Sequence, residues 1–178
     1  MTFAGNIGTA QGLDILVKVA SLLKKKNILV RFNMIGNGRY EKELRLQIQE
    51  KKVENYFNFI GQQPAEKIPK YFAWSDAALI TLSKSEVYAM TIPAKTQSCL
   101  ACGIPVIVSA DGEVQNIIRE AKCGLHSNSG DVVALTENIM KFIAMPKAER
   151  EKMSNNALNY YSKNFEKKML MDKMEAYI

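Results

Sequence analysis

A few short loops and one helix start carry the residues that could do chemistry. The first loop, GNIGTAQG, places Gly5, Asn6, Gly8, Gln11 and Gly12 between a strand-like and a helix-like stretch. Small residues at such a turn let backbone N–H groups and the helix amino end approach a diphosphate. The pattern is not GxGxxG, so the standard dinucleotide fingerprint is absent, and a plain tight turn fits the spacing equally well. The stretch MIGNGRY offers Gly36 and Gly38, either for a turn into a helix or for close approach of backbone to a ligand. Lys95 stands in the first turn of a helix, where a cation opposes the macrodipole unless an anion lies nearby. That makes it the most suggestive single cation, with an ordinary exposed lysine as the plain alternative. Glu113 opens a helix after SADG; an acid there needs no function, yet it could accept hydrogen bonds from sugar hydroxyls. Glu86 could do either, and Tyr88 beside it could stack on a ligand, offer its hydroxyl or pack the loop.

Other chemistries are poorly supplied. The three cysteines are Cys99, Cys102 and Cys123. Cys99 and Cys102 form one CxxC, but a metal site would need a second pair of ligands, so two small residues on a buried helix are the simpler account. A single histidine, His126, excludes multi-histidine metal sites and leaves little room for a Ser–His or Cys–His mechanism. No metal ligand set and no Asp-x-Asp are expected. An odd cysteine count without a disulfide framework fits reducing, cytoplasmic surroundings.

The elements that must position these residues alternate along the chain. MTFAG ends a short apolar run at Gly5. QGLDILVKVASLLKKK spaces its apolar residues at helical period, and ILVRFNMIG reads as a buried strand stopped at Gly36. A helix over GRYEKELRLQIQEKK and a strand YFNFIG, stopped at Gly61, follow. EKIPKYFAWSD is helix-like, with Pro69 delaying its start, and AALITL is a nearly continuous apolar strand, as in a parallel sheet covered on both faces. KSEVYAMT reads as a loop. PAKTQSCLACG is a helix with Pro93 at its first turn and Gly103 past its end. Strand IPVIVS, helix EVQNIIREAKC, strand GLHS and a helix from DVVALTENIMKFIAM complete the alternation, with Asp131 as its cap and Pro146 closing it. From Lys147 on, one or two helices rich in Lys, Met and Tyr remain. The expected fold is therefore α/β: a Rossmann-like, doubly wound parallel sheet of about six strands with helices on both faces. Ligands of such sheets bind outside the carboxyl ends of the strands, at a topological switch point.

Length and composition agree. The 178 residues, 47% of them hydrophobic, suit one domain spanning 1–178 with a sizeable core. No apolar run approaches the roughly 18 residues of a spanning helix, and the amino terminus lacks a signal-peptide pattern. The net charge of +6 is mostly lysine in helical stretches such as LLKKKN and EKKMLMDKM. Solvated helix faces explain most of it; attraction to a sugar nucleotide, a phospholipid surface or a nucleic acid is the functional alternative. Against nucleic acid, no reading motif or aromatic interleaving is present.

Taken in order, the loops resemble a known family. FAGNIGTAQGLDIL, FNMIGNGRYEKEL, FIGQQPAEKIPKYFAWSDAALITL and TIPAKTQSCLACGIPVIVSADGEVQNIIREAKCGL are similar to the C-terminal, donor-binding domain of GT-B glycosyltransferases, nearest to family 4 (glycosyl transferases group 1) of bacterial capsule and O-antigen synthesis. The stretches IPAK-x-QS-x-x-ACG-x-PV and DGE are the most specific. The resemblance implies a retaining transferase whose N-terminal, acceptor-binding domain lies outside this chain. Its donor is a nucleotide sugar, commonly a UDP-sugar, which is a substrate; no cofactor is implied. The acceptor can be a glycan or lipid-linked, and the location is cytoplasmic, with the inner face of the membrane an option. The backbone of Gly5 to Gly8 should lie near the diphosphate, with Asn6 and Gln11 in the same loop. The loop from Gly61 through Gln62 to Pro64 should edge the nucleobase. Lys95 should face the phosphates or the donor sugar, Gln97 and Ser98 the ribose, and Glu113 matches a recurrent acid.

This chain departs from the family pattern in two places. Asn6 and Gln11 are neutral where many members carry Arg and Lys. Met90 and Ser98 stand where many carry two glutamates. Diphosphate neutralisation would then fall on backbone dipoles and Lys95. The isolated chain is expected to bind nucleotide without turnover. A degenerate, non-catalytic nucleotide-binding module and a UDP-sugar epimerase-like domain are the alternatives, the latter disfavoured by the lone His126. A flavodoxin-like or response-regulator domain is more distant, for want of an early acidic cluster.

Overall fold

A computed structural model describes residues 1–166 and Met171. Six parallel strands form one sheet in the order β3-β2-β1-β4-β5-β6. They are β1 (Thr2–Ala4), β2 (Phe32–Ile35), β3 (Phe57–Gly61), β4 (Ala78–Thr81), β5 (Val106–Ser109) and β6 (Gly124–Ser127). The helices are α1 (Asp14–Lys25), α2 (Glu41–Glu50), α3 (Ile68–Ala73), α4 (Glu86–Ala89), α5 (Ala94–Ala101), α6 (Glu113–Ala121), α7 (Val132–Ala144) and α8 (Lys147–Asn164).

The period of the strands decides which layer each residue joins. On β4 and β5, Leu79 and Ile107 face the core built with α1, α2 and α7. Their neighbours Ala78, Ile80, Val106 and Val108 face a second core under α3, α5, α6 and α8. Alternate residues point to opposite faces, so a strand covered on both sides must be apolar throughout. All four residues of β4 and of β5 are buried, Thr81 and Ser109 included. After β6 the chain crosses back, α7 packing on α1 and α8 on α5.

Several boundaries differ from the sequence-based expectations, each for a local reason. The strand expected over Ile28–Gly36 is confined to Phe32–Ile35, because Asn27 turns left-handed after α1 and Leu29 is 67% exposed. Thr9–Gln11 form a 3₁₀ turn, so α1 starts at Asp14. The stretch expected to be a loop before Pro93 holds the four-residue helix α4. Asp131 caps α7 as expected, its carboxylate accepting from the Ala134 N–H at 2.9 Å. Most of the Lys- and Met-rich stretch after Glu166 lies outside the described residues. Among the described residues, no helix is long and apolar enough to cross a membrane.

Candidate functional site

The chain runs outward from β1 through β2 to β3, then returns to the other side of β1 as β4. The loops leaving β1 and β4 therefore diverge, and a crevice opens above their carboxyl ends. A cleft of about 840 Å³ lies there, between the loops after β1, β2 and β3 and the helices α3 and α5. Its polar side presents Gly5, Asn6, Gly36, Gln62, Lys95 and Ser98. Its apolar wall is Pro64, Ile68, Pro69, Phe72, Ala101 and Cys102. Lys95 is the one charged side chain among these lining residues, and no carboxylate lines the cleft among the described residues.

Backbone contacts hold the floor together. The Gly5 N–H donates to the Ile35 carbonyl at 2.9 Å and the Ile7 N–H to the Asn37 carbonyl at 2.7 Å. The Gly36 N–H donates to the Gly61 carbonyl at 2.9 Å, and the Asn37 amide to the Gln62 side-chain oxygen at 2.8 Å. The loops after β1, β2 and β3 are thus one hydrogen-bonded rim. The close backbone approach offered for Gly36 is to Gly5.

Lys95 reaches this rim from α5. Its Nζ lies 4.5 Å from the centroid of the Phe3 ring and donates to the side-chain oxygen of Gln11. Two electron-rich partners thus oppose the unfavourable end of the helix dipole. Burial nevertheless lowers its pKa from 10.5 to about 8. The desolvated ammonium is the positive centre of the cleft, and an anionic ligand would restore what burial removes.

The remaining candidates are distributed unevenly. Gly8 and Gln11 belong to the first turn, next to Asn6 and Lys95 respectively, and do not line the cleft. Gly61 ends β3 behind Gln62. Gln97 is exposed on α5 and points elsewhere, whereas Ser98 lines the cleft and donates to Ala94 of its own helix at 3.2 Å. Glu113 is exposed at the start of α6, accepts from the Asn116 amide at 3.2 Å and is outside the cleft. Met90 is 74% exposed after α4, and His126 sits on the edge strand β6. Glu86 and Tyr88 lie on α4 and do not line the cleft. Sequence reasoning missed the wall of Ile68, Phe72 and Ala101, whose apolar spacing reads as ordinary core.

Two of the three cysteines are structural in character. Cys99 and Cys123 are buried and pushed up to about 12, a range in which a thiol is inert. Among the described residues no group of His, Cys, Asp or Glu could hold a metal.

The model of the family described as glycosyl transferases group 1 matches residues 1–160. The amylovoran biosynthesis glycosyltransferase AmsK of Erwinia amylovora is 24% identical over 132 residues, covering 74% of this chain and 32% of that protein. The chain thus spans about a third of the length of such relatives. The Anabaena protein HepE, solved in complex with UDP, superimposes with a TM-score of 0.81 at 19% identity, over 98% of this chain and 48% of its own. The C-terminal domain of the group 1 protein LpcC from Francisella tularensis gives 0.73 at 17% identity, over 93% of this chain and 85% of the domain. These structures share the fold of this domain, the Rossmann-like fold of a GT-B C-terminal domain. With the family model matching most of its length, the chain belongs to the glycosyl transferases group 1 family.

Proposed function

We propose that this chain is the nucleotide-sugar-binding domain of a retaining glycosyltransferase that uses a UDP-sugar in surface polysaccharide synthesis. The observation that carries the proposal is the placement of Lys95, the one charged lining residue, where the carboxyl end of β1 meets the start of α5. A diphosphate there gains the ammonium and the Asn6 N–H, the Gly5 and Ile7 N–H groups being already donated within the rim. The uracil would lie along Gln62–Pro64 against Ile68 and Phe72, with the ribose toward Ser98. HepE's complex with UDP supports the nucleotide, and AmsK's name supports the polysaccharide context.

In the transfer step the bond from the anomeric carbon to the diphosphate oxygen breaks, UDP leaves with the bonding pair, and the acceptor hydroxyl oxygen bonds the same face of the sugar while its proton passes to the departing phosphate. Lys95 and the backbone donors would stabilise the charge that builds on the leaving phosphate. No cofactor or metal is invoked. A glycan or lipid-linked acceptor and its catalytic environment belong to an N-terminal domain outside this chain, so the isolated chain binds nucleotide without transferring sugar. The protein would act in the cytoplasm, at the inner face of the membrane when the acceptor is lipid-linked.

A second reading, a nucleotide-binding module without activity, is favoured by the cleft's having no carboxylate among the described residues that line it. Calorimetry with UDP, UDP-GlcNAc, UDP-glucose and GDP tests the first step. Binding of the UDP compounds, weakened at least tenfold by Lys95→Ala, is expected. Equal affinity in wild type and variant would remove Lys95 from the phosphates. Glycosyl transfer assayed in a protein carrying this domain together with an acceptor domain then separates the enzyme from the inactive module.

A further inference from the structure

We propose that Gln11 is a positioning residue, whose side-chain carbonyl holds the Lys95 ammonium in place beneath Gly5 at the carboxyl end of β1. This role rests on reading the cleft as a diphosphate site. It differs from direct ligand contact, because Gln11 does not line the cleft.

The geometry of the turn supports it. Gln11 closes the 3₁₀ turn Thr9–Gln11, which β4 and its loop clamp from below. The Thr81 hydroxyl donates to the Gln11 backbone carbonyl at 2.6 Å, the Ser83 hydroxyl to that of Thr9 at 2.6 Å, and the Ser83 N–H to that of Ala10 at 3.0 Å. Three bonds therefore fix the backbone from which the Gln11 side chain extends. That side chain meets Lys95, 84 residues away in sequence. A lysine has a long flexible stem, and holding its head in one place costs rotamer entropy. The Gln11 oxygen and the Phe3 ring supply the fixed partners.

The neutrality of Gln11 matters as much as its reach. The groups that meet the ammonium are Phe3 and Gly5 from β1 and its end and Gln11 from the turn, and the titratable group that acts on it through space is Cys99 within α5. Cys99 is uncharged at neutral pH, since burial pushes its thiol up to about 12. Among the described residues no carboxylate consumes the positive charge, which stays available to an incoming anion. A glutamate at position 11 would hold Lys95 equally well but cancel its charge.

The test follows the Lys95 Cε resonance in ¹³C-lysine-labelled protein from pH 6 to 11, in wild type, Gln11→Leu and Gln11→Glu, with Lys95→Arg for assignment. UDP affinity is measured on the same samples at pH 7 and 9. Wild-type Lys95 titrates near pH 8, well apart from surface lysines. Gln11→Leu loses the acceptor, and Lys95 releases its proton at lower pH. Gln11→Glu binds the proton more than tenfold tighter, yet holds UDP more weakly at pH 7 than wild type does. Wild-type affinity for UDP falls about tenfold between pH 7 and 9, as the charged fraction falls. Identical Lys95 titrations in all three proteins would overturn the proposal, as would a Gln11→Glu variant binding UDP as well as wild type. A Gln11-dependent titration with no UDP binding by any protein would uphold the Gln11–Lys95 coupling and overturn the nucleotide reading instead.

Discussion

A Cβ on Gly36 would stand 1.9 Å from the carbonyl oxygen of Gly5, and Gly36 itself has φ +130°. The ends of β1 and β2 approach so closely that no side chain fits between them, and L-residues rarely adopt that backbone conformation. The same approach forms the rim of the cleft, so packing and site share one constraint. Gly36→Ala is expected to cost about 3 kcal/mol or more in urea denaturation, and to weaken UDP binding. Gly130 is the control: it has φ +78° but nothing within 4 Å of its would-be Cβ. Gly130→Ala should cost about 1–2 kcal/mol, from the backbone alone. Equal costs at the two positions would show that the contact with Gly5 is soft.

Lys95 is expected to destabilise the unliganded protein. The unfolded chain keeps the Lys95 proton up to pH 10.5, the folded chain only to about 8. Between these values the unfolded state binds more protons, so stability rises with pH. Below pH 8 the full penalty for holding the charge applies. Lys95→Met should therefore stabilise the protein by about 1–2 kcal/mol at pH 7, the lost contacts with Gln11 and Phe3 offsetting part of the gain. The advantage should fade as pH rises from 8 toward 10.5. Urea denaturation at pH 7 and pH 10 checks both the sign and the trend; a variant less stable at pH 7 contradicts it.

The layers were legible because parallel strands covered on both faces must be apolar throughout, as Ala78–Thr81 and Val106–Ser109 are. The short helix Glu86–Ala89 was not, since a single turn has no period to read. Lys95 stood out because a cation in a first helical turn asks for a partner. The partner itself, Gln11, was invisible: their contact is made by the sheet, which brings the β1 turn under α5. Gln97 and Ser98 are neighbours in sequence, yet a helix turns about 100° per residue, so only one of them faces the cleft. The apolar wall of Ile68 and Phe72 went unread because a ligand wall and a core face have the same composition.

Asp131 is expected to matter for stability alone. Its carboxylate caps α7 through the Ala134 N–H at 2.9 Å, and α7 covers α1 on the face of the sheet that carries Phe3 and Leu79. Asp131→Ala should cost about 1 kcal/mol in urea denaturation, while Asp131→Ser retains most of the cap. UDP affinity should not change in either variant, because Asp131 is outside the cleft. A loss of affinity would mean that α7 transmits strain to the β1 turn.

Cys102 offers a probe of the cleft that requires no substitution. Burial pushes Cys99 and Cys123 up to about 12, so neither presents thiolate at ordinary pH. Cys102 is half-buried at the end of α5 and lines the apolar wall beside Ala101 and Phe72. Its thiol is also raised by burial, so its reaction should be slow but complete. An aromatic disulfide reagent at pH 8 should modify one of the three thiols in native protein and all of them in denaturant. Saturating UDP should slow the native reaction several-fold, by covering the wall. Protection by UDP that persists in Lys95→Ala at matched occupancy would locate the base against this wall independently of the phosphate contact. Rapid modification of two or three thiols in the native state would mean that α5 does not stay packed on β4 and β5, and the wall assigned to the base would then have no fixed shape.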